Sequence, residues 1–470
     1  MTSPVPPGRI AMALDAVATV AAASAVLLAI TGPYREALAG TPVSIGWLHA
    51  AFAAGGLAAI RHAAMPGPTW FSSVRHWRVL LDRHPAVKDA LIVTALLRLP
   101  IVLVGLLATS AIGIPADAVD ATPMRDPVRA LPARWDAQWY AGLAAHGYEW
   151  QHSFDPQQNL AFFPAYPALI RALGVVTGAF AVGLPEDKQI ARLTWCGLGV
   201  ALAAFLGAAC YFGVLARELM DDHRARAALW LLGAYPFALF YSAAYTESLF
   251  LLAALGTWFH FRRDQSAATI GWGLLAGLTR PNGCFLSIPL GLLALGIRDA
   301  GASHSRGLSW RRLALAATPG IGMLLFTAYV HQMTGIWFAW ARTHAAWGRV
   351  VGGDAAFSAF SEFGSGGLAS FAAAHPYDLM NALGLLFALG WLVRVWRLSP
   401  AWAVFVLIGV GVPLSAGGLL SMGRLTSTLF PLFIVVALTL PAGVVAGLTT
   451  SFALMQGLLA ALFYTWRAVY

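Results

Sequence analysis

The chain has 470 residues, of which 59% are hydrophobic and 11% charged, and its formal net charge is +9. Soluble domains carry about 25% charged residues, so this composition excludes an ordinary soluble protein and indicates a polytopic membrane protein. The basic residues stand in short groups between apolar runs instead of one stripe, which argues against a nucleic-acid-binding surface.

The first apolar stretch, residues 10–31, follows Arg9 and contains Asp15. A signal peptide is the alternative, but the stretch is too long for an h-region and is predicted to be an uncleaved first span. A second span is predicted at 43–60, followed by a basic cytoplasmic link from Arg61 to Lys88. Residues 1–88 are therefore predicted to form an N-terminal domain.

Arginine clusters and apolar runs alternate through the rest of the chain, which predicts an all-α polytopic fold. A span needs about 20 apolar residues, and with the N-terminus inside we count about thirteen spans and a large first extracytoplasmic loop. The later spans are predicted at 89–113, 190–216, 225–241, 247–261, 267–279, 283–297, 313–330, 377–394, 401–419, 424–440 and 449–466. We group them as a transmembrane module, 89–445, and a C-terminal span, 446–470.

The first predicted outer loop contains the run ARWDAQWYAGLAAHGYEW, which sets Asp136 between Trp135 and Trp139. An acidic residue at a bilayer surface is a functional candidate. Aspartate is also a preferred N-cap, and a helix is predicted to follow at 137–146, so both interpretations stay open. The apolar segment 162–180 that follows contains Pro164 and Arg171, and we predict an interfacial or re-entrant segment there.

A second outer turn lies in YPFALFYSAAYTESLFLLAAL, between two predicted spans. It places Glu247 at the outer surface as a second carboxylate. A capping box with Thr246 or Ser248 at the start of a helix is the alternative.

These two blocks closely resemble the PIG-V family, the second mannosyltransferase of glycosylphosphatidylinositol assembly and its bacterial homologues. The resemblance rests on a Trp-Asp pair, a following Gly-Tyr, a Phe-Pro-x-Tyr-Pro run and the Tyr-Thr-Glu-Ser turn, and it extends over residues 89–440. That family belongs to the GT-C glycosyltransferases, which take sugars from lipid phosphates. The resemblance implies inverting transfer of a sugar, expected to be mannose, from a polyprenyl-phosphate donor, with Asp136 as the base.

Two arginines match family positions at predicted outer ends of spans: Arg280 in GLTRPNG and Arg424 in LLSMGRLTSTLFPLF. A lipid phosphate suits the planar guanidinium fork, so the resemblance implies a phosphate clamp; snorkelling anchors are the alternative. Arg98, in ALLRLPIVL, is nearer mid-membrane, where a charge needs a partner. The resemblance implies that Arg98 meets Asp136 or the phosphate, and a structural ion pair is an equal alternative.

The loop IWFAWARTHAAWGRVVGG is similar to a family loop with a Trp-Gly-Arg group. Trp347 and Arg349 match that group, whereas His344 stands where the family usually has Gln, which leaves the acceptor open. The resemblance implies that Glu247, His344 and Trp347 contact sugar, and Trp135 and Arg349 complete the predicted substrate-binding set. A membrane-interface belt is the alternative for the tryptophan.

Other functions and partners follow from what the sequence lacks. Cys196, Cys210 and Cys284 are far apart in apolar runs, and no Asp-x-Asp pair or His-rich spacing occurs, so we predict no metal and no cofactor. A transporter or lipid flippase is the competing class, but the two similar halves common in transporters are not seen. A family member that has lost catalysis is a third possibility, which the intact blocks argue against.

Lys88 and Lys188 are the only lysines, and this arginine bias with abundant Ala and Gly is typical of a GC-rich bacterium. We therefore expect an inner-membrane enzyme with an extracytoplasmic site. The expected partners are a polyprenyl-phosphate sugar donor, a glycolipid or envelope-glycan acceptor and membrane lipids, with no nucleic acid.

Overall fold

The computed structural model describes residues 9–31, 34–38, 41–65, 81–116, 118, 128–301, 308–349 and 354–469. The chain forms two compact units, Met1–Lys88 and Asp89–Tyr470. Most of the predicted basic link, residues 66–80, lies outside the described residues.

The first unit contains a helix pair joined by a β-hairpin. Helix α1 (Arg9–Thr31) and helix α2 (Trp47–Ala64) pack together, and strands β1 (Tyr34–Leu38) and β2 (Thr41–Ile45) pair antiparallel with Tyr34 opposite Ile45. The hairpin departs from the all-α expectation, and the second helix begins at Trp47 instead of the predicted residue 43. Arg61, expected to open a cytoplasmic link, lies instead in the last turn of α2.

A buried ion pair explains the position of Arg61. Its Nε lies 3.1 Å from Asp15 Oδ1, and the two side chains are 2% and 9% exposed. An acid on an apolar helix has to be paired to be tolerated, and the neighbouring helix supplies the partner.

Helices are the only regular secondary structure among the described residues of the second unit. Helix α3 (Pro85–Ala111) leads into it, starts four residues before the predicted span 89–113 and has a π-helical turn at Thr94–Arg98. Four helices of 10, 12, 32 and 13 residues follow. These are α4 (Ala137–His146), α5 (Ala165–Val176), α6 (Glu186–Arg217) and α7 (Asp222–Ala234). The following helices are α8 (Glu247–Arg262), α9 (Ser266–Thr279), α10 (Ser287–Ala294), α11 (Trp310–Ala316), α12 (Thr318–Thr334), α13 (Ala339–Thr343), α14 (Asp354–Ala374), α15 (Pro376–Leu398), α16 (Pro400–Gly417), α17 (Met422–Ser427), α18 (Pro431–Thr439) and α19 (Ala442–Tyr464).

Among the described residues, five helices are long and apolar enough to cross a membrane: α3, α6, α15, α16 and α19. Two bent pairs raise the number to seven: Pro236–Ser242 with α8, bent by 96°, and α11 with α12, bent by 46°. The chain is thus an integral membrane protein, but the expected count of about thirteen spans is not confirmed.

Proline explains several of the differences in span layout, because it removes a backbone donor and ends helices. The predicted span 225–241 stops at Ala234 and continues from Pro236 as a 3₁₀ turn. The predicted span 424–440 divides into α17 and α18, and α18 begins at Pro431.

The predicted interfacial segment 162–180 contains α5, a helix of 12 residues. At 1.5 Å per residue this helix is about 18 Å long, short of the roughly 30 Å hydrocarbon core. Arg171 donates from Nη1 to the carbonyl oxygens of Ala144 (2.6 Å) and Ala145 (3.1 Å), so the charge in the middle of the segment is satisfied by α4.

One end of the second unit gathers acids and arginines from the ends of predicted spans and from the stretches between them. Asp89 accepts hydrogen bonds from Arg217 (2.5 Å) and Arg226 (3.0 Å). Arg262 Nη1 lies 2.7 Å from Glu218 Oε2, and Arg262 Nε lies 2.8 Å from Asp299 Oδ2. We call this set the arginine-rich end: Asp89, Arg217, Glu218, Arg226, Arg262, Arg263 and Asp299.

Candidate active site

The opposite end of α8 carries a second, buried cluster of acids and arginines. Arg424 Nη1 donates to Asp136 Oδ2 at 3.0 Å, and Arg424 Nε donates to Glu247 Oε1. Arg280 Nη1 donates to the same Glu247 oxygen at 2.9 Å. Four of the residues predicted from sequence therefore form one connected group, which we call the ion-pair cluster: Asp136, Glu247, Arg280 and Arg424.

Asp136 immediately precedes α4 but does not cap it through its side chain. Its carboxylate instead points to Arg424, and its backbone N–H donates to the Tyr245 hydroxyl at 3.1 Å. The preceding residue, Trp135, has φ +53°, an unusual conformation for a bulky residue. The side-chain capping alternative for Asp136 is therefore not found.

Glu247 is the first residue of α8 and is fully buried. The side chain of the N-cap residue Thr246 makes no capping bond, and among the described residues Glu247 Oε2 has no hydrogen-bond partner. A buried carboxylate of this kind is stable only beside cations, and two arginines contact its other oxygen. Glu247 therefore holds both guanidinium groups in place through its Oε1.

Aromatic rings fix the guanidinium of Arg424. Its Cζ lies 4.7 Å from the centroid of the Tyr245 ring and 5.4 Å from that of Phe240. A guanidinium stacks favourably on aromatic faces, so Arg424 is oriented before any ligand arrives.

A cavity of about 370 Å³ opens beside the ion-pair cluster. Its lining includes both predicted phosphate ligands, the predicted base and two of the three predicted sugar contacts, His344 and Trp347. The polar and aromatic lining residues are Asp136, Tyr140, Thr246, Thr279, Arg280, Asn282, Trp340, His344, Trp347, Arg349, Ser421 and Arg424. Apolar residues complete the wall: Phe162, Phe285, Val412, Pro413 and Ala416 among others.

Positive charge is in excess in this cavity. Arg349 donates from Nη2 to the carbonyl of Leu420 at 3.2 Å. Burial, together with the neighbouring positive charges of Arg424 and Arg280, lowers the pKa of Arg349 to about 10. Burial also acts to lower the pKa of Arg424, but the carboxylates of Glu247 and Asp136 outweigh it and raise that pKa well above its usual value. Both arginines are therefore charged near neutral pH.

His344 contributes a neutral imidazole to the cavity wall. Burial lowers its pKa to about 4, so it is uncharged near neutral pH. Its Nδ1 lies 2.8 Å from the carbonyl oxygen of Trp340, which can only accept, so Nδ1 carries the proton. Nε2 is then a hydrogen-bond acceptor, suited to a hydroxyl.

The structure separates three predicted residues from the cavity lining. Arg98 is fully buried and donates to the carbonyl oxygens of Ala238 and Gly233 and, at 3.0 Å, to Gln456 Oε1. It contacts neither Asp136 nor the cavity, and its hydrogen-bond acceptors among the described residues are carbonyl and amide oxygens, so the structural ion pair is not found either. Trp135 packs against Trp466, with ring centroids 5.0 Å apart, and Glu247 lies beneath the lining.

Two tyrosines of the site were not singled out from sequence. Tyr140 lines the cavity, and its hydroxyl lies 3.5 Å from Thr246 Oγ1. Burial raises its pKa to about 12, so its hydroxyl stays protonated. The signal was available, because Tyr140 is four residues after Asp136 and so lies on the same face of α4. For Tyr245 the sequence offered no signal beyond its place beside Thr246 and Glu247.

Comparison with known proteins agrees with the sequence resemblance. Residues 126–292 match the profile of the family described as Mannosyltransferase (PIG-V). The chain is 28% identical over 164 residues to a protein named GPI mannosyltransferase 2 from Drosophila pseudoobscura pseudoobscura, covering 34% of this chain and 33% of that protein. It is 26% identical over 167 residues to GPI mannosyltransferase 2 from Drosophila melanogaster, with the same two shares.

The chain thus matches about a third of the length of these curated relatives. The PIG-V resemblance is confirmed over residues 126–292, a shorter region than the 89–440 predicted. Asp136, Glu247 and Arg280 lie inside the matched region, whereas His344, Trp347, Arg349 and Arg424 lie outside it.

Proposed function

Because residues 126–292 carry the sequence of the PIG-V mannosyltransferase family, we propose that this protein is an integral membrane glycosyltransferase that transfers mannose. The donor is a polyprenyl-phosphate sugar, and the acceptor is a hydroxyl of a glycolipid or an envelope glycan. The site faces the extracytoplasmic side of a bacterial inner membrane. One observation carries the proposal: a carboxylate and three arginines converge on one cavity.

Asp136 is the proposed base. The acceptor oxygen bonds to C1 of the sugar while the bond between C1 and the phosphate oxygen breaks with inversion at C1. The acceptor proton passes to the Asp136 carboxylate, and polyprenyl phosphate leaves with the electron pair of the broken bond. A carboxylate on the cavity wall suits this role. The neutral His344 serves as a hydrogen-bond partner of the sugar through its free Nε2.

The arginines are the proposed phosphate ligands. Arg280 and Arg424 are held by Glu247 and line the cavity together with Arg349. A guanidinium binds phosphate oxygens through paired N–H donors, and it stabilises the negative charge that grows on the leaving group. Arg349 has a backbone carbonyl as its acceptor, so its remaining donors suit a ligand oxygen.

The proposed sugar contacts form the aromatic side of the cavity. Trp347 lies edge-on to Trp139 and Phe162, with ring centroids 5.7 and 5.6 Å apart. Together with His344 Nε2, this surface offers ring faces and one hydrogen-bond acceptor to a sugar. His344 stands where the family usually has Gln, so the acceptor of this protein would differ from that of family members with Gln at this position.

The proposal is tested with purified protein in liposomes, supplied with a panel of polyprenyl-phosphate sugars and a glycolipid acceptor. We expect transfer from the mannose donor, and a loss of about 10²- to 10⁴-fold in the Asp136→Asn variant. Asp155→Asn is the matched control, because Asp155 is an exposed acid of the same loop. Lipid scrambling with no transfer from any donor would instead favour a flippase.

The side of the membrane is tested by labelling single cysteines in a variant whose three native cysteines are replaced by serine. Gln157 is exposed near the cavity, and Gln265 is exposed near the arginine-rich end. An impermeant thiol reagent added outside intact cells should label Gln157→Cys and leave Gln265→Cys unlabelled. The reverse pattern would put the site in the cytoplasm.

A further inference from the structure

Asp136 follows a residue in a strained backbone conformation. Trp135 has φ +53°, in the left-handed region that bulky side chains rarely adopt. Such a conformation is unfavourable for a bulky residue and persists only where the surroundings impose it. The contacts that impose it here also determine where the Asp136 carboxylate lies.

These contacts come from residues 463–466, the last two residues of α19 and the two that follow it, which we call the C-terminal turn. The Trp466 ring packs on the Trp135 ring with centroids 5.0 Å apart, and Trp466 itself has φ +60°. Arg134 joins the two segments: its Nε donates to the Tyr464 carbonyl at 2.7 Å, and its Cζ lies 5.6 Å from the centroid of the Trp466 ring. Both residues before Asp136 are thus fixed by this turn.

The same turn supports Asp136 from its other side. The Phe463 ring lies 5.7 Å from the Tyr245 ring, and the Tyr245 hydroxyl accepts the backbone N–H of Asp136 at 3.1 Å. The face of Tyr245 also orients Arg424. Phe463 therefore supports the ring that orders both members of the Asp136–Arg424 pair.

The C-terminal turn is itself held in place. The Tyr464 hydroxyl donates to the carbonyl of Ser242, in the 3₁₀ turn before α8. Its ring lies directly against Gly105, where a Cβ atom would stand 2.5 Å from Tyr464 Cδ2. Both Phe463 and Tyr464 are almost fully buried. The turn therefore has little freedom to shift along α3.

We infer that the C-terminal turn is a clamp that positions Asp136 for proton transfer, with Trp466 and Arg134 as positioning residues. This inference rests on the proposed function. Neither residue is part of the cavity lining, so both act through Asp136. Trp466 also lies outside residues 126–292, so the clamp is a feature of this chain beyond its matched region.

The test separates turnover from donor binding. Trp466→Leu removes the ring from Trp135, and a small displacement of a catalytic group lowers turnover by roughly tenfold to a hundredfold. We expect that loss in kcat. The KM for the donor should stay within about twofold of wild type, because Arg280 and Arg424 keep their bonds to Glu247. Trp466→Phe keeps a ring and should retain most of the turnover.

Gln456→Leu is the matched structural control. Gln456 also lies on α19, but it donates to the carbonyls of Gly233 and Tyr235 and accepts from Arg98, away from Asp136. We expect a lower unfolding temperature and an unchanged kcat per folded molecule. If Trp466→Leu behaved like Gln456→Leu, the turn would be a purely structural contact and the clamp would be overturned.

A double-mutant cycle with Asp136→Asn gives the second readout. Residues that act through one another are non-additive, so Trp466→Leu should cost little further turnover once Asp136 is replaced. Full additivity would contradict the clamp. A wild-type protein that transfers no sugar would overturn the proposed function, which is distinct from an active wild type whose Trp466→Leu variant keeps its kcat.

Discussion

Helix α8 has an acid–arginine cluster at each end, and the two clusters differ in what they leave unsatisfied. At the arginine-rich end, each of the four arginines has a carboxylate partner: Arg217 and Arg226 contact Asp89, and Arg262 and Arg263 contact Glu218. At the other end, the carboxylates of Asp136 and Glu247 face the guanidinium groups of Arg280, Arg349 and Arg424, which leaves one positive charge in excess.

Access to a cavity is the second difference. The ion-pair cluster and Arg349 border a cavity of about 370 Å³, so the positive charge that Arg349 adds is available to a ligand. A cluster in which every arginine is paired with a carboxylate holds helices together, whereas a cluster with an extra arginine beside a cavity attracts an anion. We therefore expect substitutions at the two ends to affect different properties, stability at one end and transfer at the other.

The largest expected difference is between two Asp→Asn variants. Asp136→Asn should lower kcat by about 10²- to 10⁴-fold, because the proton acceptor is lost, with little change in unfolding temperature. Asp89→Asn should lower the unfolding temperature, because Asp89 is buried and joins Arg217 to Arg226, and should leave kcat per folded molecule near wild type. Transfer assays and thermal unfolding of the same preparations check both outcomes, and an Asp136→Asn protein that is merely unstable would remove the contrast.

The next contrast compares Arg→Gln variants at the two ends. Arg424→Gln and Arg280→Gln should each lower kcat/KM for the lipid donor by roughly tenfold to a hundredfold, since charge-assisted hydrogen bonds contribute about 1.5–3 kcal/mol. The apparent KM for the acceptor should change much less. Arg262→Gln is the control and should affect stability alone. Donor kinetics that are equal in all three variants would mean that the phosphate is bound elsewhere.

Lysine substitutions sharpen the role of guanidinium shape. Lys keeps the charge but lacks the planar fork, so Arg424→Lys should lose about two- to tenfold in donor kcat/KM, less than Arg424→Gln. The two variants are compared at one ionic strength. Equal losses for Lys and Gln would indicate that geometry alone, and not charge, decides donor binding.

The smallest expected effect is the pH dependence caused by His344. Its pKa is about 4 in the folded protein against an ordinary value near 6.5, so the unfolded chain binds the proton more readily. Stability from this group is complete above pH 6.5 and is lost progressively as the pH falls towards 4. His344→Gln should remove that part of the pH dependence. Thermal unfolding between pH 4 and 7 measures it, and an unchanged slope would contradict the burial of a neutral imidazole.

Local patterns in the sequence were sufficient to identify the class of protein and most of the candidate site. Hydropathy indicated a membrane protein, and the two blocks around Asp136 and Glu247 carried the resemblance to the PIG-V family, whose profile residues 126–292 match. Arg280 and Arg424 were selected by residue type and position, and both line the cavity. Such features are readable because each depends on a short run of residues.

Tertiary structure decided how these residues are used, because their contacts join distant parts of the chain. The bond between Asp136 and Arg424 joins residues 288 positions apart, and the bond of Arg98 to Gln456 joins residues 358 apart. No local periodicity encodes such pairs, so sequence could not tell that Arg98 supports the core, that Glu247 lies beneath the cavity, or that Trp135 packs on Trp466. The number of spans was undecided for a related reason, since apolar runs of similar composition become straight helices or bent pairs according to how prolines and neighbouring helices satisfy the backbone.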